Sequence, residues 1–329
     1  MKVTENKIDA LNIELTMEIV KDDYSETVRK KIADYRRKAD FKGFRKGNVP
    51  ESLVRRVYGE QALAESVNQV ISQGLEDYIT GHKLNILGEP LTSEKQPENE
   101  WVDGNDFKFI FDIAVSPEVK LDVVKEDTVN SYTVTVDAKS KQPMIDSLKK
   151  YYEEKKEEKS DEDIDKEVTE RLKGQYKQQS DWRLSKDIRD YFVKKADIAL
   201  PEDFLKRWLF VANEGKLTKE EIEKDFPGFC EDFRWQLVRG YLMKKYGFKV
   251  TEEDIKEAAH AFVTYQYAMY GMGNVPDELI ADAVNNVLSD RKQIGRLEEQ
   301  VEDQKVMAKI RETITIASKK ISASKFAEL

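Results

Sequence analysis

Residues 11–19 read LNIELTMEI, in which apolar and polar side chains alternate without a break. This period of two predicts a β-strand with one buried face. A second alternating run, residues 107–115 (FKFIFDIAV), predicts another strand. Between the runs, apolar residues follow a helical period from Ser25 and again from Pro50, which is expected to open a short helix followed by a longer one ending at Gly81. Residues 1–115 are therefore predicted to form a compact α+β domain with a small antiparallel sheet covered by helices.

A projecting loop is expected between these helices, where residues 43–50 read GFRKGNVP. The two glycines allow backbone angles that other residues avoid. Pro50 sets the entry into the next helix, where its missing N–H costs nothing. The loop is therefore predicted to present Phe44, Arg45 and Lys46 to solvent, and an exposed phenylalanine is expected to contact a partner.

The remainder of the chain is predicted to be an extended tether followed by helices. Pro117 disfavours helix, and residues 131–136 alternate, so residues 116–138 are interpreted as a tether with strand character. From residue 139 onward the pattern is helical, with helices expected near residues 142–155, 162–194, 201–213, 218–246, 251–270, 276–289 and 290–321. The expectation for residues 139–329 is an elongated, mostly α-helical domain with arm-like helical hairpins.

Composition narrows the class of protein. The 329 residues include 55 basic and 64 acidic side chains, a net charge of −9, so a general nucleic-acid binder is disfavoured and any basic surface must be local. The single cysteine, Cys230, permits no disulfide within the chain and fits a reducing compartment. Neither a signal-like apolar segment at the N-terminus nor an apolar run of membrane-spanning length is visible. A cytoplasmic protein is expected.

A local basic surface is predicted near the loop. Eleven cations fall within residues 29–56: Arg29, Lys30, Lys31, Arg36, Arg37, Lys38, Lys42, Arg45, Lys46, Arg55 and Arg56. Such a cluster would attract a polyanion such as structured RNA with salt-sensitive affinity. The alternative is a solvated helix face, and the expected exposure of Phe44 favours the first interpretation.

A second candidate surface lies in the helical half, where residues 262–272 are rich in tyrosine and methionine. Such side chains accommodate varied apolar partners because they repack easily. Ordinary core is the alternative for most of them. Met269, Tyr270 and Met272 adjoin the glycine at 271 and are the best candidates for exposure; with Tyr267 they form the predicted site for an apolar polypeptide segment.

Catalytic constellations are missing from the sequence. The two histidines, His82 and His260, and the lone Cys230 form no recognisable nucleophile pair or metal cluster. Residues 271–274 (GMGN) lack the following Lys-Ser/Thr of a phosphate-binding loop. No catalytic residue, metal or cofactor is predicted.

Three motifs carry a resemblance to a known family: GFRKGNVP at 43–50, Tyr-Gly at 58–59 and Ser-Pro-Glu-Val at 116–119. With them the chain resembles the trigger factor family of bacterial ribosome-associated chaperones. The resemblance implies that the N-terminal domain docks at the ribosomal tunnel exit and that the helical domain cradles emerging chains. Contact with a large-subunit protein and rRNA would fall to Gly43, Phe44, Arg45, Lys46 and Gly47. Asn48 departs from the pattern, because the family usually has lysine there.

The family's prolyl isomerase domain is the largest departure. Near residues 142–165 helix runs into helix, with no stretch of about a hundred residues rich in strands and glycine turns. The resulting hypothesis is a non-enzymatic, ATP-independent holdase that docks on the ribosome, binds nascent or unfolded polypeptides and forms at most a weak homodimer. Two alternatives stay open at this point: a prolyl isomerase with an unrecognised site, and a helical scaffold that does not bind ribosomes.

Overall fold

The structure, a computed structural model, describes residues 1–45 and 47–329. The chain divides into two compact units, one formed by residues 1–118 and 199–230 and the other by residues 119–198 and 231–329. Each unit therefore combines an earlier and a later segment of the chain. The predicted domain bounds at residues 115 and 138 stay a prediction.

The described residues form six strands and ten helices. They are β1 (Lys2–Lys7), β2 (Asn12–Ile19), α1 (Lys21–Lys38), α2 (Glu51–Gly81), β3 (Leu91–Thr92), β4 (Phe107–Ala114), β5 (Thr128–Thr135), α3 (Ala138–Lys155), α4 (Asp161–Ala196), α5 (Glu202–Ala212), α6 (Lys219–Tyr246), α7 (Glu252–Met269), α8 (Asp277–Ser289), α9 (Arg291–Thr313), β6 (Thr315–Ser322) and α10 (Ala323–Phe326). The predicted class, α+β with an N-terminal antiparallel sheet and a mostly helical remainder, is confirmed.

The sheet of the first unit is antiparallel throughout, with strand order β1-β2-β4-β3. Both predicted strands are present, and Leu15 of β2 lies opposite Phe111 of β4. The alternation in β2 matches its burial, because every second side chain enters the core: Ile13, Leu15, Met17 and Ile19. β1 was not predicted. Its six residues are all exposed, and a strand without a buried face need not alternate apolar and polar residues, so its sequence carries no strand signal.

Two helix predictions in the first unit need correction. α1 begins at Lys21 rather than near Ser25, because the Val20 N–H donates to the Asp23 carboxylate at 2.8 Å and so closes the first turn. α2 is one helix of 31 residues, not a short helix followed by a longer one. Gly59 lies inside it without ending it, since buried residues on both sides of the glycine pack against the same core.

Helices dominate the second unit. α3 and α4 share a small core that includes Leu148, Tyr152 and Val168. α7, α8 and α9 share another around Ala259, Val263 and Leu297. Further fully buried side chains lie along α4, α6 and α9: Ile188, Phe192, Val238, Leu242, Val306 and Ile310.

The last predicted helix, 290–321, is wrong over its final turns. α9 ends at Thr313, and residues 315–322 form β6, which pairs in parallel with β5. β5 lies within the predicted tether and confirms its strand character. The strand form of its partner β6 could not be predicted from the local sequence, because pairing with a strand far away in the chain overrides the local preference for helix.

Candidate functional site

The base of the 43–50 loop is fixed in the core of the first unit. Val49 has no solvent exposure and belongs to the main core cluster. Its carbonyl oxygen accepts a hydrogen bond from Arg36 Nε on α1 at 2.7 Å. Pro50 follows as the N-cap of α2, and its carbonyl accepts from the N–H groups of Leu53 and Val54. The chain therefore leaves the loop at a fixed point and in a fixed direction.

Aromatic contacts hold the other side of the base. Phe41 meets the Tyr58 ring edge to face, with centroids 6.2 Å apart. Tyr58 in turn stacks on Tyr35 of α1 at 5.0 Å. Such pairs add about 0.5–1.5 kcal/mol beyond the area they bury. Tyr58, the tyrosine of the Tyr-Gly motif, thus packs at the base of the loop and holds it against α1.

A charged group extends this support along α1 and α2. Tyr35 donates its hydroxyl to Glu65 at 2.6 Å, while Lys31 lies 3.0 Å from the other carboxylate oxygen. Gln61 donates to the same carboxylate. These hydrogen bonds, that of Tyr35 foremost, lower the pKa of Glu65 to about 2. The carboxylate is therefore ionised across the physiological pH range and ties the two helices together.

The tip of the loop, residues 43–47, projects as predicted in the part that the structure describes. Gly43 and Gly47 have φ angles of +93° and +86°, which side chains with a Cβ rarely adopt. The Phe44 N–H donates to the Phe41 carbonyl at 3.0 Å, and the Phe44 ring is 42% exposed. Arg45 is exposed as well, whereas Lys46 lies outside the described residues. A fixed base therefore presents an apolar ring to solvent.

Some of the eleven cations are neutralised and others are not. Lys30 pairs with Glu26, Lys31 with Glu65, Arg37 with Asp34, and Arg55 with Glu51. Among the residues that the structure describes, six of the predicted cations form no ion pair: Arg29, Arg36, Lys38, Lys42, Arg45 and Arg56. Three of these lie within seven residues of Phe44 along the chain: Lys38, Lys42 and Arg45. Half of the cations without an ion pair thus lie close to Phe44 in the chain.

The second candidate surface lies at the end of α7. Met269, Tyr270 and Met272 are 70%, 81% and 56% exposed. Tyr265, one helical turn before Met269, is also exposed. Tyr267 differs, since it is half-buried and packs against the α7–α9 core. We call the exposed set the Met/Tyr patch: Tyr265, Met269, Tyr270 and Met272.

The turn after α7 explains why these side chains face outward. The Met272 N–H donates to the Tyr267 carbonyl at 2.9 Å, and the Gly271 N–H donates to the Ala268 carbonyl at 3.0 Å. With Gly271 at a φ of +75°, this is a glycine C-cap of the Schellman type. The turn reverses the chain immediately beyond the helix, so the Met272 side chain lies outside the core. Leu279 on α8, which sequence reasoning did not single out, is exposed nearby in the chain.

A hollow of about 740 Å³ lies in the second unit between α4 and α6. Trp182, which is 67% exposed, is one of the residues that line this hollow. The lining also contains charged residues of both signs, including Lys186, Arg189, Glu231 and Asp232. Among the described residues that line it, none is a histidine or cysteine. Sequence reasoning missed this exposed tryptophan, because a tryptophan within a long helix usually indicates core.

Among the described residues, no group of three or more His, Cys, Asp or Glu side chains is arranged to hold a metal ion. Over the same residues, no helix combines the length and the apolar character needed to cross a bilayer.

Two family models match the chain. The model described as "Bacterial trigger factor protein (TF)" matches residues 1–148, and the one described as "Probable trigger factor, C-terminal domain" matches residues 180–329. The interval between them, residues 149–179, consists in the structure of the end of α3, a short turn and the first half of α4. Both matched segments include a surface described above, the loop in the first and the Met/Tyr patch in the second.

Curated relatives agree with these matches. The chain is 28% identical over 169 residues to the trigger factor of Psychrobacter arcticus, covering 51% of this chain and 37% of that protein. It is 32% identical over 132 residues to the trigger factor of a Geobacter species (strain M21), covering 38% and 29% of the two chains. The alignments thus span about a third of the length of these relatives.

A solved structure extends the likeness to the fold as a whole. It comes from a study of promiscuous substrate recognition in the folding and assembly activities of the trigger factor chaperone. The similarity covers 95% of this chain and 99% of that one, with a TM-score of 0.54 and 13% identity. The two family models together account for residues 1–148 and 180–329, and the chain belongs to the trigger factor family.

Proposed function

We propose that the chain is a cytoplasmic, ATP-independent chaperone that docks at the ribosomal tunnel exit and holds nascent or unfolded polypeptides. The observation that carries the proposal is the exposed Phe44 ring on a loop whose base is fixed by Val49 and the Phe41–Tyr58 contact. Exposing an apolar ring on a rigid support costs free energy in the isolated protein. A partner that buries the ring recovers this free energy.

Docking combines an apolar anchor with local positive charge. Phe44 enters a pocket on a large-subunit protein at the tunnel exit, while Arg45 and Lys46 contact that protein or nearby rRNA phosphates. Lys38 and Lys42, which form no ion pair among the described residues, add attraction to the RNA. Because the chain is net negative elsewhere, this attraction orients the loop toward the ribosome.

Client binding uses the Met/Tyr patch. Its side chains are flexible or amphipathic and can repack around different apolar segments. Burying them removes apolar surface from water without requiring one sequence in the client. Release follows from weak affinity and from folding of the client, which hides its apolar segments. The family's kind of substrate, an unfolded chain, thus fits the patch.

We further propose that the chain has no prolyl isomerase activity. The family's isomerase domain would lie between the two matched segments, and the 31 residues there form only the end of α3, a short turn and the first half of α4. A protease-coupled assay on a proline-containing peptide should give the uncatalysed rate. A rate that rises in proportion to protein concentration would contradict this part of the proposal.

Docking is tested by a triple substitution, Phe44→Ala, Arg45→Ala and Lys46→Ala. We expect loss of co-sedimentation with ribosomes at low salt and unchanged suppression of aggregation. The matched control changes Lys216, Leu217 and Lys219 to alanine, since Leu217 is about as exposed as Phe44 and is likewise accompanied by two cations. Co-sedimentation of the loop variant at the wild-type level would refute the docking role.

Client holding is tested by changing Met269, Tyr270 and Met272 to serine. Light scattering of a protein diluted from guanidinium chloride should rise toward the level without chaperone, while ribosome binding is kept. The control introduces serine at three exposed apolar positions of the first unit, Ile8, Val20 and Val102. Equal loss in both variants would argue against a specific role of the patch.

A weak homodimer also belongs to the proposal. Sedimentation velocity at two protein concentrations tests it, and a sedimentation coefficient that stays at the monomer value at both would contradict it.

A further inference from the structure

β5 and β6 form a sheet of only two strands, and they run parallel. No third strand joins them within the described residues. Two-stranded sheets are marginal on their own, and each strand leaves one row of main-chain groups unpaired. β5 packs against α4, whereas most side chains of β6 are exposed.

The register identifies which groups of β6 face outward. The Thr315 N–H donates to the Asp127 carbonyl at 2.9 Å, so Thr315 faces β5. In a parallel ladder the facing residues alternate. The inward position of Ile321 agrees, because its carbonyl accepts from Thr135 Oγ1 at 3.2 Å. The outward main-chain groups are therefore those of Ile316, Ser318 and Lys320, and within the described residues none of these main-chain groups has a backbone partner outside the ladder. The next outward residue, Ser322, is the N-cap of α10.

The chemistry of this edge is basic. Lys319 and Lys320 are exposed and form no ion pair among the described residues, and neither does Lys325 just beyond the strand. Ile316 exposes an apolar side chain at the start of the strand. The edge thus offers a row of hydrogen-bonding groups beside unneutralised cations.

We propose that the outer edge of β6 receives an extended, acidic segment of an unfolded polypeptide as a third strand. The inference rests on the proposed client binding and adds to it a main-chain mode of recognition. Main-chain hydrogen bonds do not depend on the client's side chains, which suits a binder of many unfolded chains. The lysines select segments that carry Asp or Glu.

A second copy of this chain is the other occupant that an open strand could take. Pairing β6 with β6 about a two-fold axis would place Lys319 and Lys320 of both copies in the same small sheet. Like charges in cross-strand neighbours are destabilising. The charge of the edge therefore favours an acidic client over self-pairing.

The test uses the full chain and a fluorescein-labelled ten-residue peptide in which Glu alternates with Val. Ser318→Pro removes an outward N–H and fills the edge, while leaving the ladder to β5 intact, because proline is accepted on strand edges. Ser318→Ala is the matched control. By fluorescence anisotropy we expect Ser318→Pro to bind the peptide about tenfold or more weakly, the loss of one to two hydrogen bonds, and Ser318→Ala to bind as wild type.

A peptide N-methylated at alternate residues provides a second arm that needs no protein variant. The methyl groups can be placed on either of the two alternating sets of peptide residues, which gives two peptides. Wild type should bind one of the two at least about tenfold less tightly than the unmethylated peptide, because in that one the methyl groups block the edge that pairs with β6. Hydrogen exchange over residues 128–135 checks that β5 and β6 stay paired in Ser318→Pro. Lys319→Glu with Lys320→Glu should weaken binding of the same peptide.

Three results would overturn the inference: no binding of the peptide to wild type, equal binding of both N-methylated registers and the parent peptide, or a dimer in sedimentation velocity that Ser318→Pro abolishes, which would show that a second copy occupies β6. In each case the Met/Tyr patch and loop variants could still behave as proposed above. Failure of the edge and failure of the chaperone proposal are therefore distinguishable.

Discussion

Replacing Asp127 by asparagine should destabilise the second unit more than any exposed ion-pair change. The Asp127 side chain is 4% exposed. It accepts hydrogen bonds from Lys195 Nζ at 2.6 Å, the Tyr191 hydroxyl at 2.8 Å and the Val124 N–H at 2.9 Å. These contacts hold the segment that leads into β5, and the Asp127 carbonyl also accepts from Thr315 at the start of β6.

The magnitude follows from the burial of the two partners. Breaking a fully buried ion pair costs about 3–5 kcal/mol, because the remaining charge stays unpaired. Lys195 is 31% exposed and also donates to the Asp122 carbonyl, so it keeps part of its solvation. Asparagine retains one carbonyl acceptor but turns an amide N–H₂ toward donors. We therefore expect a loss of about 2–3 kcal/mol in the free energy of unfolding.

The pH dependence of the stability also tests the role of Asp127. Burial raises the pKa of the Asp127 carboxyl, but the hydrogen bonds from Lys195, Val124 and Tyr191 outweigh it, and the pKa lies below its ordinary value. Because the pKa of Asp127 is lower in the folded protein than in the unfolded chain, its carboxylate stabilises the fold. This stabilisation is complete above about pH 3.9, the pKa in the unfolded chain, and is lost as the pH falls through the folded pKa. The Asp127→Asn variant should lack this acid-dependent loss.

Urea unfolding followed by far-UV circular dichroism measures the change, and hydrogen exchange of residues 128–135 assigns it to the second unit. Glu170→Gln is the control, because its pair with Lys173 is exposed on both sides and should change stability by less than about 1 kcal/mol. The double variant Asp127→Asn with Lys195→Met should lose less than the sum of the single variants. A change below about 0.5 kcal/mol for Asp127→Asn would refute the reasoning.

Two further predictions concern the first unit. Gly88→Ala should lower the free energy of unfolding of this unit by about 1–3 kcal/mol and shift Trp208 fluorescence. The reason is that Gly88 has a φ of +67° and that an added Cβ would lie 2.5 Å from the Trp208 ring. Gly59→Ala is the control: it has open space around it in α2, so thermal unfolding should show it to be neutral or stabilising. Glu65→Gln should reduce the stability lost between pH 4 and pH 2, since the pKa of Glu65 is lowered to about 2 and its contribution disappears as pH falls through that value. The effect should stay below about 1 kcal/mol because the side chain is 39% exposed, and an unchanged acid melting curve would contradict it.

Local patterns predicted most of the elements. The alternation in β2 and β4 and the helical periods of α3 to α8 are short-range consequences of burying one face. Non-local pairing explains the misses: β6 owes its strand form to β5, far away in the chain, and β1 is an exposed edge strand. The continuity of α2 through Gly59 also depends on tertiary packing, because propensity alone favours a break there.

The candidate surfaces divide in the same way. The exposure of Phe44 follows from its two neighbouring glycines, so the sequence was sufficient to predict it. The exposure of Met269, Tyr270 and Met272 follows from the glycine turn beside them. Whether Tyr267 faces the core depends on how α7 packs against its neighbours, which no local signal reveals. The exposed Trp182 could not be predicted for the same reason.

The discontinuity of both units has a consequence for the synthesis of this protein itself. The first unit needs residues 199–230, and the pairing of Thr135 with Ile321 spans 186 residues. Closing a loop of that length costs about 4–5 kcal/mol of chain entropy on the usual logarithmic scaling, before any constant term. Because translation releases residues in order, β5 must wait beside the ribosome as an unpaired strand until residue 322 has emerged. During that interval the nascent chain of this protein presents the same kind of exposed, extended segment that its family is proposed to protect.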